Sequence, residues 1–341
     1  MRARFVTGLF AALVLAAATA GASGNQPPAV GGSAQFLWEK IQADPGRNVE
    51  GVEEFRTRRI RLYLAGKPGE RVEYGITLAY NDGDEMETGV YEAWVRFRAL
   101  EWLSVKAGSF LPPWSLDMPR PVHSLDFIQY PLIVGNGLPL CTPWRQTGVM
   151  IEVRPGQSFA VSTGLFNGLD REGEYLDDNN MKDTMVSVSY TAYTNVDLYL
   201  GHWGGKTELS PALAAQMGAS SVDYSNIWVG LEANLERWRL AGEMMWNRVN
   251  SDTSTLRQSR GYHASAVYSR QNLEALLRYE QFDPDTGDVG GGAGNKVEWT
   301  TLGINYALAD WAKLMANYVF KSEPGDQRAN EQMLLQVSVA L

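Results

Sequence analysis

Six basic residues in the first third of the chain stand on one parity of strongly alternating segments. Arg59 and Arg61 alternate with Ile60 and Leu62, Arg96 and Arg98 flank Phe97, and Arg71 and Lys106 hold the same position in their own segments. Later in the chain Glu232, Glu243, Glu274 and Glu280 occupy the matching parity, with Arg239 and Arg278 among them. Side chains two apart on an extended strand share a face, so the spacing predicts a basic wall and an acidic one. Two such walls facing each other across water set up a transverse field. That field orients dipolar solutes and gives ions of opposite sign separate paths, while the fixed charge sets ion preference. This is electrostatic guidance rather than bond making. Pairing between neighbouring strands is the simpler role for the same residues, with Glu73 or Glu92 neutralising Arg59 or Arg96, and at least half of the charges are expected to be paired in this way.

Bond-making chemistry finds little support. The three histidines, His123, His202 and His263, are scattered and lack metal-ligand spacing. The segment DPDTGDVGGGAGN (283–295) resembles part of a calcium loop but lacks the closing glutamate. It reads as a solvated acidic loop, like DGDEME (82–87) and DREGEYLDD (170–178). Such loops could bridge to lipopolysaccharide through divalent ions. Neither a phosphate-cradling glycine loop nor a dinucleotide fingerprint is present. No enzyme, cofactor or metal site is expected.

The elements that position the charges are strands. Period-two alternation runs from the hairpin RRIRLYLAGKPGERVEYGITLAY (58–80) to the closing EQMLLQVSVAL (331–341). Tyr91, Ala93, Val95 and Phe97, for instance, oppose Glu92, Trp94, Arg96 and Arg98. Connections alternate between tight turns, such as Pro155-Gly156 and Thr194-Asn195, and long loops, such as 111–145 and 206–221. With a first strand near 32–42 the count is sixteen strands, seven short turns and eight long loops. Tyrosines sit on the apolar parity near strand ends, as aromatic belts at a membrane interface would. Strands with one polar face span lipid only in a closed sheet. The fold class predicted is therefore all-β, a transmembrane antiparallel barrel of about 16 strands with the apolar parity facing lipid. A soluble sandwich also alternates, but it requires neither the short-long rhythm nor the aromatic ends.

The compartment follows from the start. Arg2 and Arg4 precede an apolar run from Phe5 to Ala18 and then small residues, a signal peptide over 1–22 with cleavage after Ala20 or Ala22. The remainder, 23–341, reads as one barrel domain. Without Arg2 and Arg4 the chain holds 28 basic and 39 acidic residues, a net charge of −11, which argues against nucleic acid as a partner. Cys141 is the single cysteine, so no intrachain disulfide forms.

Sixteen strands enclose more space than side chains fill. The loop LPPWSLDMPRPVHSLDFIQYPLIVGNGLPLCTPWR (111–145) is the expected constriction, folding inward to bury Phe127, Ile128 and Leu132 and to place Arg120 in the pore. A hydrophobic contact between subunits is the other reading of this loop. FRTRRIRLYLAG (55–66), VYEAWVRF (90–97), SVKAGSFLPPWSLD (104–117) and TTLGINYALADWAKLMANYVF (300–320) resemble the phosphate-selective porin O/P family. The resemblance implies a bacterial outer-membrane homotrimer in contact with lipid and lipopolysaccharide, with an inward third long loop and phosphate among its solutes. Ser109 and Leu111 stand where that family commonly has Gln and Lys, and loop 111–145 contains no lysine. The expected function is passive diffusion of small hydrophilic solutes and ions. The alternative is a non-conducting sleeve or scaffold for a periplasmic or surface partner such as a cytochrome.

Overall fold

The computed structural model describes residues 27–43, 51–81, 87–135, 144–168, 180–252, 254–286, 296–322 and 331–341. The expected signal peptide, Cys141, residues 170–178 and most of 82–87 lie outside these. The described chain forms sixteen strands: β1 Ala29–Ile41, β2 Val52–Gly66, β3 Val72–Asn81, β4 Glu87–Leu100, β5 Leu103–Phe110, β6 Gln146–Val153, β7 Phe159–Phe166, β8 Asp183–Tyr193, β9 Val196–Glu208, β10 Ser221–Leu235, β11 Trp238–Asn250, β12 Thr255–Arg270, β13 Leu273–Asp283, β14 Val297–Ala309, β15 Ala312–Ser322 and β16 Gln332–Ala340. Each pairs antiparallel with its sequence neighbours, and β16 returns to β1 to close the barrel. Gly32 and Leu341 exchange both backbone hydrogen bonds at 3.0 and 2.8 Å, which continues that seam to the last residue. Two short helices, α1 (Leu132–Gly135) and α2 (Pro211–Met217), lie in long loops.

Burial is inverted relative to a water-soluble protein. Leu62, Leu78, Val95, Val149, Leu200, Leu277 and Leu302 are exposed on the outside, whereas Arg61, Asn226, Glu243, Arg278, Asn317 and Gln336 are buried inside. A closed sheet satisfies every backbone group within itself, so the outer face can be wholly apolar. Aromatic residues form two outward belts. Trp102, Phe159, Tyr190, Tyr193, Trp238, Tyr306 and Trp311 mark the tight-turn end, and Trp246, Tyr279 and Phe320 mark the long-loop end. Their amphipathic rings suit the two membrane interfaces.

Besides irregularities at strand ends, the register shifts within the wall at β2 and at β4, and both shifts turn chemistry inward. Gln35 pairs with Arg59 while Phe36 pairs with Thr57, which leaves Arg58 as the extra residue of a bulge. Unbroken alternation from Ile60 would aim Arg58 into lipid, at a cost of about 2–4 kcal/mol near the midplane. The bulge instead sends it to the lumen, where its Nη1 donates to the Ile128 carbonyl and, at 3.1 Å, to Gln336 Oε1. The second bulge lies at Tyr91, because Thr77 pairs with Glu92 and Leu78 with Val90. The sequence-based assignment of Tyr91 to the lipid face is therefore corrected: its ring faces inward beneath two arginines. A bulge re-aims side chains in just this way.

Leu200 lies midway along β9 and is 52% exposed to the outside. Leu200→Arg is expected to destabilise the barrel by about 2–4 kcal/mol in denaturant titrations of protein folded into lipid vesicles. Ser187→Arg, on the lumen face, should cost markedly less.

Candidate functional site: the constriction and its arginines

After β5 the chain turns into the barrel. The turn is set by Trp114, which is fully buried between Trp203 of β9 (centroids 6.1 Å apart) and Trp228 of β10 (5.6 Å), both edge-on. Phe166 stacks on Trp203 at 4.9 Å and Tyr199 on Trp228 at 6.0 Å, extending the aromatic anchor across the wall. Space for it comes from glycine: a Cβ on Gly201 would lie 1.9 Å from Trp228 Nε1. Such aromatic pairs add about 0.5–1.5 kcal/mol each beyond the area they bury.

Beyond Trp114 the loop crosses the lumen and is tied to strand after strand. Glu243 of β11 accepts from Ser115 Oγ (3.0 Å) and from the Leu116 amide (2.9 Å), and His263 Nε2 stands 3.5 Å away. Gln35 donates to the Val122 carbonyl, and Lys313 of β15 donates to the Leu125 carbonyl at 2.7 Å. Asp126 receives a two-pronged contact from Arg239 and a 3.2 Å contact from Arg120, while Asn305 donates to its carbonyl. Glu280 of β13 accepts from the Leu132 amide at 2.7 Å and from Arg278 Nε at 2.9 Å. Phe127, Ile128 and Leu132 are buried against the wall, as the inward reading of the loop requires. A chain segment in the lumen has polar backbone groups that need partners, and the wall supplies them as side chains. Burial works against the Arg120 charge, but Asp126 and Asp117 outweigh it and hold its pKa above the ordinary arginine value.

The basic side of the constriction lies on β2, next to the Gln35 tie of β1. Arg59 reaches Gln35 Oε1 at 3.4 Å, and its guanidinium lies 5.7 Å from the Tyr130 ring. Arg61 lies 4.6 Å from the Tyr91 ring, and Arg145 lies 3.2 Å from the same ring while its Nε donates to Glu92 Oε1 at 3.0 Å. Burial raises the pKa of the Tyr130 phenol, although Arg59, Arg61 and Arg145 each pull it down. Of the three guanidinium groups, among the described residues only that of Arg145 contacts a carboxylate, Glu92. Arg59 and Arg61 make no ion pair among the described residues. The tyrosine faces hold the cations by their negative quadrupole without neutralising them.

Open space remains between loop segment 113–120 and the wall of β6 to β11. A cavity of about 430 Å³ is lined by Ser115 and Arg120 from the loop and by Glu152, Ser162, Ser187, Tyr199, Glu232 and Arg239 from the wall. A second, of about 260 Å³, shares Glu152 and Arg154 with it and adds Arg96, Arg98 and Ser104 towards the tight-turn end.

The residues singled out from spacing fall into three groups. Arg59, Arg61, Arg96, Arg98, Arg120 and Glu232 face the lumen at the arginine cluster or the two cavities. Glu243 and Glu280 are buried and hold the loop, so they do not form an acidic wall against open water. Arg71 is exposed in the turn before β3, at the rim and not on the wall, and Lys106 is covered by the rings of Trp94 and Phe110. Pairing between neighbouring strands is found as expected for Glu73 with Arg96, and Glu73 also takes Lys67 and Arg98; Glu92, however, takes Arg145, and Arg59 has neither carboxylate. Spacing missed Arg58, Arg145 and Trp114. The consecutive arginines at 58 and 59, one of which must break parity, are the signal for the first. Glu280→Ala leaves Arg278 buried without its carboxylate and the Leu132 amide without an acceptor. It should cost about 3–5 kcal/mol in denaturant titration and add open-channel current noise as the loop loosens.

The fold has close counterparts. An anion-selective porin from Comamonas acidovorans superposes with a TM-score of 0.65 at 16% identity, covering 93% of this chain and 99% of that one. OmpF of Salmonella typhi, in complex with daunomycin, gives 0.70 at 10% identity, covering 92% and 97%. The outer-membrane channel DcaP of Acinetobacter baumannii gives 0.66 at 12%, covering 94% and 98%. No curated protein sequence matches the chain. Residues 11–326 match the model of the Gram-negative porin family. A sealed barrel, an apolar exterior and an inward loop tied across the lumen agree with that match, and the chain belongs to the Gram-negative porin family, as a channel of the bacterial outer membrane.

Proposed function

We propose that this outer-membrane channel passes small hydrophilic solutes and ions by passive diffusion, with a preference for anions. The observation that carries the reading is the state of Arg59 and Arg61: they face the lumen at the constriction and pair with no carboxylate among the described residues. An unneutralised charge beside a narrow aqueous path attracts counter-ions and repels co-ions, and low-dielectric walls strengthen the effect. Arg96, Arg98 and Arg154 extend the basic lining towards the tight-turn end, tempered by Glu73 and Glu152. The Comamonas acidovorans counterpart is described as anion-selective, which is consistent.

Phosphate is the solute implied by the resemblance to the phosphate-selective porins. The cations of the loop, Arg120 and Arg145, are already paired with Asp117, Asp126 and Glu92. That favours a general anion preference over a dedicated phosphate site. A homotrimer is proposed from the same resemblance, and a Vibrio cholerae counterpart is described in a trimer form. The outward apolar groove over β1, β2 and β14 to β16, about 850 Å³ and lined by Phe36, Trp38, Phe55, Tyr306 and Leu335, is a surface that subunit contact would cover.

Reversal potential in a salt gradient across a planar bilayer tests the reading. The native channel should show the anion sign. Arg59→Glu with Arg61→Glu should move the potential towards cations, and by more than Arg96→Glu with Arg98→Glu, whose charges Glu73 already offsets. A cation-selective native channel, or an unmoved potential in the first variant, would refute the proposal, and absence of current would favour a sleeve for a partner.

A further inference from the structure

Two arginines stand on the outer face of the barrel, where lipid is expected. Arg248 of β11 shares its parity with Trp238, Met244 and Trp246, and Arg260 of β12 shares its parity with Tyr262, Ala264 and Tyr268. Both are exposed, and among the described residues neither guanidinium makes a hydrogen bond or an ion pair. In register Arg248 opposes Gln258 and Arg260 opposes Trp246, so the two arginines are diagonal neighbours with Cα atoms about 7–8 Å apart. Each lies two residues beyond a belt aromatic towards the long-loop end, Arg248 past Trp246 and Arg260 past Tyr262. Two residues of strand carry a side chain about 6–7 Å past the ring, out of the hydrocarbon and into the headgroup layer.

A lone arginine there could simply snorkel to water. Two, side by side and without an ion pair among the described residues, make a fork, with Ser225, Gln258 and Asp283 as polar neighbours on the same face. Guanidinium groups bind phosphate through two parallel charge-assisted hydrogen bonds. Below them Met244, Ala264 and Leu277, with the rings of Trp246, Tyr262 and Tyr279, make the outer face apolar, a surface against which an acyl chain can lie. Asp283, opposite Arg260 in register, does not pair with it; its carboxylate accepts from the Asp285 amide at 3.2 Å.

We infer that Arg248 and Arg260 form a binding site for the phosphorylated headgroup of an outer-leaflet lipid, phosphate held by the arginines and acyl chain laid against the apolar surface beneath. The site needs no bridging cation, unlike the acidic loops. It is independent of the lumen and of ion preference.

Native mass spectrometry of the detergent-solubilised barrel mixed with bisphosphorylated lipid A tests it. The unmodified barrel should retain lipid A at a stoichiometry of one per chain above background, and EDTA should not remove it. Arg248→Gln with Arg260→Gln should bind at least tenfold more weakly, with conductance unchanged, while Arg248→Lys with Arg260→Lys should fall between the two. Lipid A with its phosphates removed should bind the native protein no better than the glutamine variant does. Unchanged binding by the glutamine variant, or complete loss of lipid A from the native barrel in EDTA, would overturn the proposal. Should the glutamine pair fail to fold, equal binding by the lysine pair and the native protein to phosphorylated and dephosphorylated lipid A would overturn it as well.

Discussion

Hydrocarbon offers no hydrogen bonds, and the architecture follows from that lack. A strand in a bilayer must pair on both edges, so the sheet has to close, and β16 meets β1 through a continuous register from Ser33 to Ile41. Once the sheet is closed, every side chain has two destinations, lipid or lumen, assigned by parity. A charge on the wrong parity is costly enough that the backbone yields first. At Arg58 the backbone inserts a residue sooner than expose a guanidinium to lipid. That bulge crowds Arg56, Arg58, Arg59 and Arg61 onto the lumen side of one strand.

The lumen poses the converse problem. A loop inside it brings polar backbone that the aqueous path alone does not satisfy, so wall side chains take over. Acids that would repel anions as free wall charges, Glu243 and Glu280, are turned into acceptors for the amides of Leu116 and Leu132. Basic residues beside and near those acids, Arg278 on β13 and Lys313 on β15, donate to loop carbonyls. The transverse field is thereby lopsided. The acidic wall is largely used up in fixing the loop, whereas Arg59 and Arg61 on the opposite wall keep their charge under aromatic faces. Loop tethering and ion preference are two results of one distribution of charge.

Much of this was legible from the residues alone. Alternation located the strands, the sequence of short and long connections gave the barrel, and the length and apolar character of 111–145 marked the inward loop. Two kinds of feature were not legible. Consecutive arginines at 58 and 59 signal a break in parity, but where the bulges fall, at Arg58 and at Tyr91, depends on the register the neighbouring strand accepts, which a single strand does not contain. The role of each buried acid depends on where the loop passes: Glu232 lines a cavity and Glu243 a tether, though both share the lumen parity. Trp114 was hidden for the same reason, since its partners Trp203 and Trp228 lie about ninety residues or more away in sequence and meet it only when the barrel closes.

Inside-outside assignment by parity underlies every statement about ions, and thiol chemistry reads it one residue at a time. With Cys141 replaced by serine, cysteines placed singly at Arg61 and at Leu62 would be challenged in a planar bilayer with a charged, water-soluble thiol reagent. A drop in current at position 61 with no reaction at position 62 is the outcome the account predicts. Reaction at position 62, with position 61 silent or equally reactive, would contradict it.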